Sequence, residues 1–399
     1  MMIRGYTVLT IALLLLSVGG RFVHAAPPDV QKIIDERVHS GMAAGLVVGV
    51  VRDGTRKFYS AGTLRAGGSE PVDENTIFEI GSISKVFTTL LLAQLEEKGE
   101  LKLSDTAQKF LPAAVKMPTK NGTPITLEHL ATHTSGLPRM PDNFDPADPQ
   151  NPYADYTFQQ LYDFLTGYTL VGEIGGQAAY SNLGMGLLGH ILELQSGKSY
   201  EDLILSRICK PLGMNSTNTK PRPRDAARVA TGHQGRTPVS AWDIPALDDM
   251  LIFVAANLGS PETKLTSTMR RCHRQRVDTA DAQLKVGLGW HIWKKHGSDI
   301  VWHNGGTGGF AAVIGFRTDT NEGVVVLSNS AYRGVDRIAL HLLDDRYELA
   351  DIPDEVAIDV PALQEYVGTY ALVGGLIFDV KVTNDQLMVR ISGQEFYPV

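Results

Sequence analysis

The sequence has very little cysteine, no block of like charge, and no apolar run long enough to cross a membrane. Two cysteines, Cys209 and Cys272, occur in 399 residues. That is far short of the disulfide framework that staples small secreted domains, so stability must come from buried apolar surface. One bridge between the two remains open as an expectation, as does the reading of both as small buried apolar residues. The 37 Lys and Arg against 44 Asp and Glu give a net charge of -7 with no long basic stretch. General attraction to nucleic acid or to anionic membranes is thereby excluded. His129 and His133 have the i, i+4 spacing of a zinc pair, but Leu130 stands where H-E-x-x-H needs its Glu. These histidines are expected to brace a helix and the turn after it, and neither a metal nor an organic cofactor is expected. The run from Val8 to Val18 follows Arg4 and precedes Val23-His24-Ala25-Ala26. It is shorter than the ~20 residues of a spanning helix. It reads as a signal peptide cleaved after Ala25 rather than an uncleaved anchor, which implies a soluble, exported protein, periplasmic or secreted. No cysteine is present at the cleavage point to carry a lipid.

What the chain does have is enough apolar residue, 43%, to bury one large core or two smaller ones. Val30, Ile33, Ile34 and Val38 recur at helical spacing, and Gly45 to Val51 and Lys57 to Ala61 flank Asp53-Gly54 as a β-hairpin. Ser82 to Lys98 is apolar on nearly all sides and stops at Gly99, as a helix buried in the protein does. Further helices are expected at Leu127–His133, at Phe158–Leu165 behind a Thr157/Gln160 capping box, and at Leu183–Gln195. From Ile300 the pattern turns to strands, at Ile300–His303, Gly309–Phe316 and Gly323–Ser328, with a helix over Val335–Tyr347. The fold class is therefore α+β: one antiparallel sheet flanked by the Val30 and Val335 helices, with a mostly helical lobe between Asn121 and Gly197 and a cleft between them. Residues 26–350 form this unit, 351–360 an acidic, proline-containing linker, and 361–399 three short strands that look like the start of a small β-domain.

Three segments carry chemistry. Ser82-Ile83-Ser84-Lys85 opens the buried helix, and i, i+3 spacing puts the hydroxyl and the amine on one face. The helix N-terminus and burial both depress a lysine pKa, and the same N-terminus favours an oxyanion. S-x-x-K alone is expected by chance on the order of once in a chain this long. Tyr180-Ser181-Asn182 adds a phenol able to relay a proton and an amide able to donate and accept; packing and helix capping are the bland alternatives. His303-Asn304-Gly305-Gly306 then offers a strand edge whose glycines admit a substrate against the backbone, with the Gly306 N–H facing a developing oxyanion. Gly184, Gly186 and Gly189 fit G-x-G-x-x-G, but without a βαβ context they read as helix packing.

In this order, and with Phe78-Glu79-Ile80-Gly81-Ser82, His129 to Pro138 and Pro211-Leu212-Gly213-Met214 around them, the segments resemble the class C β-lactamases and their penicillin-recognising relatives over roughly Val30 to Tyr347. The resemblance implies that Ser82 is the acylated nucleophile, with Lys85 and Tyr180 as the proton-transfer pair and the base left open between them. It further implies that Asn182 orients the substrate, and that the N–H groups of Ser82 and Gly306 form the oxyanion hole. It ranks β-lactam hydrolysis first, D-Ala peptide, D-aminopeptide or ester hydrolysis close behind, and a non-catalytic penicillin-binding sensor as the alternative of another class. The partner is a small β-lactam, ester or D-amino acid peptide. His303 stands where the family has the Lys of K-T-G; a protonated imidazole there is expected to attract a substrate carboxylate, against a neutral ring that only orders the strand. Pro238 to Asp248 is shorter than the family pattern, which puts one wall of the cleft in doubt, and the tail from Val360 resembles the start of the lipocalin-like domain that follows many such hydrolases.

Overall fold

The computed structural model describes residues 29–218, 222–240, 249–332, 334–352, 359–371, 377–391 and 396–398. The signal segment, residues 241–248 of the shortened stretch and most of the 351–360 linker lie outside the described residues. Helix α1 (Val30–His39) leads into the hairpin β1 (Gly45–Arg52) and β2 (Thr55–Gly62), turned through Asp53 and Gly54, both at positive φ. The helical lobe follows: α2 (Ser84–Glu97), α3 (Leu127–Ala131), α4 (Phe158–Gly167), α5 (Asn182–Ser196), α6 (Tyr200–Ile204) and α7 (Lys210–Leu212). A two-stranded ribbon, β3 (Gly232–Gln234) and β4 (Thr237–Val239), contains the start of the shortened stretch. Then come α8 (Met250–Leu258), α9 (Thr266–Cys272), β5 (Val277–Asp278), β6 (Leu284–Val286), β7 (His291–Lys295), β8 (Ser298–Gly306), β9 (Ala311–Arg317), β10 (Glu322–Ser328) and α10 (Val335–Leu343).

The main sheet has eight antiparallel strands in the order β2-β1-β10-β9-β8-β7-β6-β5. β1 is buried almost throughout because both its faces are covered, as its near-continuous run of Val and Leu anticipates. On one face Leu46 and Val48 meet Ile33, Ile34, Val326, Ile338 and Leu342, so α1 and α10 do cover that side as expected. On the other, Val47, Val325 and Leu327 join a larger core with Phe87, Leu91 and Phe253 from α2 and α8. Helix α2 sits inside that core: every residue from Lys85 to Leu95 is buried, and each fully buried Leu contributes about 1.5–3 kcal/mol.

Several expectations are revised. The helix placed over Val335–Tyr347 ends at Leu343, because Asp344 turns extended and ties its carboxylate to Arg346 and His296. Strands β5 to β7 were not anticipated; they are two to five residues long and mix polar with apolar side chains. Asp249, just ahead of α8, does not cap that helix with its side chain; its carboxylate accepts from the N–H groups of Ser216 and Thr217. Cys209 and Cys272 are unpaired and buried, and burial pushes both thiols up to about 12. Beyond a short turn of helix, α11 (Val360–Leu363), the tail forms four strands rather than three: β11 (Gly368–Ala371), β12 (Ile377–Thr383), β13 (Gln386–Ile391) and β14 (Tyr397–Pro398). They make a sheet of their own.

Candidate active site

Ser82 lies in a tight 3-10 turn, Gly81–Ile83, that feeds directly into α2. The turn rests against the end of β8. A Cβ on Gly305 would lie 1.8 Å from the Ile80 carbonyl oxygen and 2.9 Å from the Ser82 nitrogen, and one on Gly81 would lie 2.8 Å from the Gly306 nitrogen. Glycine at both positions is what lets the two backbones touch, which sets the Ser82 turn directly against Gly305 and Gly306.

Lys85 Nζ is 2.9 Å from Ser82 Oγ. The ammonium is buried and has the Arg139 guanidinium nearby, and these two effects, burial the larger, bring the lysine down to about 7. Tyr180 hydrogen-bonds the Ser82 hydroxyl, yet burial raises its pKa, so the phenol stays protonated. Its ring lies 4.9 Å from Lys85 Nζ and 5.2 Å from the Arg139 guanidinium carbon. Asn182 is the first residue of α5, held there by its N–H bond to the Arg139 carbonyl; its Nδ2 lies 3.6 Å from Met140 Sδ, and its Oδ1 is buried without a hydrogen-bond partner among the described residues.

Behind Tyr180 stands a layer of imidazoles. The His133 ring is 4.5 Å from Tyr180, that of His291 is 6.4 Å from it, and that of His303 is 5.0 Å from His291. Burial brings His133 down to about 3 and His291 to about 4, and His303 well below 6.5. His133 sits at positive φ, and its Nδ1 accepts from the Ser181 N–H, which fixes the Y-x-N segment to the turn after α3. His129 completes a capping box with Thr126. Both histidines therefore brace α3 and its following turn, as the sequence suggests.

Two expected substrate contacts are displaced. His303 is 1% exposed and donates from Nδ1 to the Asn304 carbonyl at 2.6 Å; burial holds its pKa well below 6.5, which favours the neutral ring that orders the strand over the charged one expected to attract a carboxylate. Asn304 points to the opposite face of the sheet, where its amide donates to Asp336 of α10 at 2.7 Å; strand alternation puts neighbouring side chains on opposite faces. Gly305 and Gly306 remain at the site through their backbone. Sequence reading missed Arg139 and Tyr153, which line the same cleft as Ser82, Lys85, Asn182 and Gly306, a cavity of about 550 Å³. Arg139 directly follows the His129 to Pro138 segment, but nothing local in the sequence marks it as a neighbour of Lys85. The G-x-G-x-x-G glycines lie within α5; Gly184 packs closely against Ser135 and Ser181, but a Cβ on Gly186 would meet nothing within 4 Å, so helix packing accounts for only part of the motif.

A buried lysine at the hydroxyl of a helix-opening serine, a phenol beside them, and the glycine end of β8 set against the serine turn match the arrangement that the sequence resemblance implies. The chain belongs to the Beta-lactamase family, whose model matches residues 30–347. It is 31% identical over 337 residues to the D-alanyl-D-alanine-carboxypeptidase/endopeptidase AmpH of Escherichia coli K12, covering 76% of this chain and 86% of that protein. It is 26% identical over 364 residues to a β-lactamase of the same organism, covering 79% and 92%. Among solved structures, a class C β-lactamase from Rhodobacter sphaeroides matches with a TM-score of 0.68 at 26% identity, covering 79% of this chain and 98% of that one.

Proposed function

We propose that the protein is an exported serine hydrolase that works through an acyl-enzyme on Ser82, acting on D-alanyl peptides and on the β-lactams that resemble them. The observation that carries this reading is the 2.9 Å approach of Lys85 Nζ to Ser82 Oγ, with the lysine brought to about 7. At neutral pH a large fraction of Lys85 is free amine, whereas the phenol of Tyr180 is protonated, so Lys85 is the base that the sequence left undecided.

Ser82 Oγ attacks the scissile carbonyl as its proton passes to Lys85 Nζ. The carbonyl oxygen gains the negative charge and receives the N–H groups of Ser82 and Gly306, aided by the positive end of α2. When the carbon–nitrogen bond breaks, the proton returns from Lys85 through the Tyr180 hydroxyl to the leaving nitrogen. Water then repeats the sequence on the ester, and the Asn182 side chain, which lines the cleft, orients the substrate amide. We rank peptide hydrolysis above β-lactam hydrolysis, reversing the order drawn from resemblance. One feature supports this: a cleft whose lining continues from Ser82 and Lys85 to Gly189, His190 and Glu193, longer than a bicyclic β-lactam needs.

Intact-mass spectrometry with a fluorescent penicillin, alongside turnover of a D-Ala-D-Ala peptide, tests the reading. Wild type should acquire one penicilloyl adduct and release D-Ala; Ser82→Ala should do neither while its circular dichroism is unchanged. An adduct retained by Ser82→Ala sinks the assignment.

A further inference from the structure

The reactive atoms occupy one end of the cleft. The rest runs between α2 and α5, where Asn182, Gly186, Gly189 and Glu193 fall at i, i+4, i+7 and i+11 and so share one face of α5. At Gly186 an added Cβ meets nothing within 4 Å, and at Gly189 it reaches the Tyr200 ring at 3.6 Å and Thr88 Cγ2 at 4.0 Å, both ordinary van der Waals distances. The glycines therefore form a trough rather than a packed contact. Thr88 of α2 lines the same cavity, with its hydroxyl bound to Tyr200 at 2.7 Å.

The trough ends in a carboxylate. Glu193 lines the cavity with its side chain 26% exposed; one oxygen accepts from the Tyr200 N–H at 2.7 Å and the other lies 3.3 Å from His190 Nδ1. Those bonds fix the carboxylate and leave lone pairs facing the cavity. Phe158, 54% exposed, stacks on His190 at 3.8 Å and walls this end. The cleft is thus cationic at Arg139 and anionic at Glu193. Asn182 and Glu193 are roughly 16 Å apart along the helix axis at 1.5 Å per residue, the span of an extended peptide of about four to five residues.

We propose that this groove is a subsite for the acyl-side arm of a peptide substrate, four to five residues long, whose terminal ammonium meets Glu193. In a peptide the arm on the acyl side runs toward the amino end, so its distal charge is positive and complements the carboxylate. The proposal rests on the acyl-transfer reading of Ser82.

The test uses full-length protein with two peptides carrying four residues ahead of D-Ala-D-Ala, one with a free amino end and one N-acetylated, and p-nitrophenyl acetate as a short acyl donor. In wild type the free-amine peptide should exceed the acetylated one in kcat/KM by about fivefold, as for one partly exposed ion pair. Glu193→Gln, which keeps the bond from the Tyr200 N–H, should bring that ratio close to one. Gly186→Leu should lower kcat/KM for the long peptides relative to the acetate ester. A wild-type ratio near one with ester and peptides turned over, or a ratio unmoved by Glu193→Gln together with long peptides unaffected by Gly186→Leu, overturns the subsite alone. Wild type that turns over none of the three and takes no penicillin overturns the Ser82 reading, and the subsite with it.

Discussion

Replacing Lys85 by Met should abolish turnover and make the protein more stable, by an amount that depends on pH. In the unfolded chain the lysine titrates near 10.5, and in the fold at about 7. Between those values the unfolded state carries a proton that the native state lacks, so native stability rises with pH through this window. At pH 7.5 the penalty for holding the amine neutral is about 4 kcal/mol, and at pH 9 about 2 kcal/mol, at 1.36 kcal/mol per pH unit. Methionine is unbranched, of similar length and not ionisable, so it removes the penalty. The lost hydrogen bond to Ser82 Oγ returns about 1 kcal/mol. The variant should therefore exceed wild type by ~3 kcal/mol at pH 7.5 and ~1 kcal/mol at pH 9. Urea denaturation followed by tryptophan fluorescence, repeated from pH 6.5 to 9.5, reads this directly. A Met variant no more stable than wild type at pH 7.5, or a difference that does not shrink as pH rises, refutes the buried low-pKa lysine.

The same lysine sets the acid limb of activity: kcat/KM should rise with pH through about 7 as Lys85 loses its proton. Because the Arg139 guanidinium contributes to lowering that value, Arg139→Gln should move the rising limb to higher pH, and it should raise KM for a carboxylate-bearing substrate more than for a neutral ester; an unmoved limb argues against the coupling. A chain ending at Asp351 should keep full activity on p-nitrophenyl acetate. The hydrogen bonds and ion pairs among the described tail residues run within the tail, and the Ala350 carbonyl that accepts from buried Arg37 is retained. Lost activity or solubility of that shorter chain would show that the tail sheet supports the catalytic unit.

What was legible in the sequence is what is local. The i, i+3 pair of Ser82 and Lys85, the Thr157/Gln160 capping box and the apolar periodicity of α1 and α10 are set by a few neighbouring residues, and the structure has them. The hairpin around Asp53-Gly54 and strands β8 to β10 were readable for the same reason. What was not legible arises when distant segments meet. Arg139 joins Lys85 only because the turn after α3 folds back onto the start of α5 through the Ser181 hydroxyl, which donates to the Pro138 carbonyl at 2.6 Å. His291 enters the ring layer from a strand too short and too polar to be recognised. Burial, too, is a tertiary property, and it reverses the charge expected of His303.

That reversal leads to a further prediction. A protonated side chain at position 303 was expected to attract a substrate carboxylate, but the side chain there is 1% exposed, packed against His291, and within electrostatic reach of Lys85 and His133. An ammonium placed in that layer finds the Asn304 carbonyl as an acceptor and no carboxylate partner, so it remains a buried unpaired charge, which typically destabilises by about 3 kcal/mol or more. His303→Lys should therefore lower the urea midpoint at pH 7. If the new ammonium stays charged, it also depresses Lys85 further and moves the acid limb of kcat/KM to lower pH; if it neutralises, the limb stays and only stability falls. Neither case gives a gain specific to carboxylate-bearing substrates. In wild type, carboxylate and neutral substrates should accordingly show parallel pH profiles above pH 6, since a neutral His303 has no charge to lose there. A His303→Lys variant that keeps wild-type stability and turns over a β-lactam faster relative to an ester would refute the buried, neutral assignment and return the substrate carboxylate to this strand.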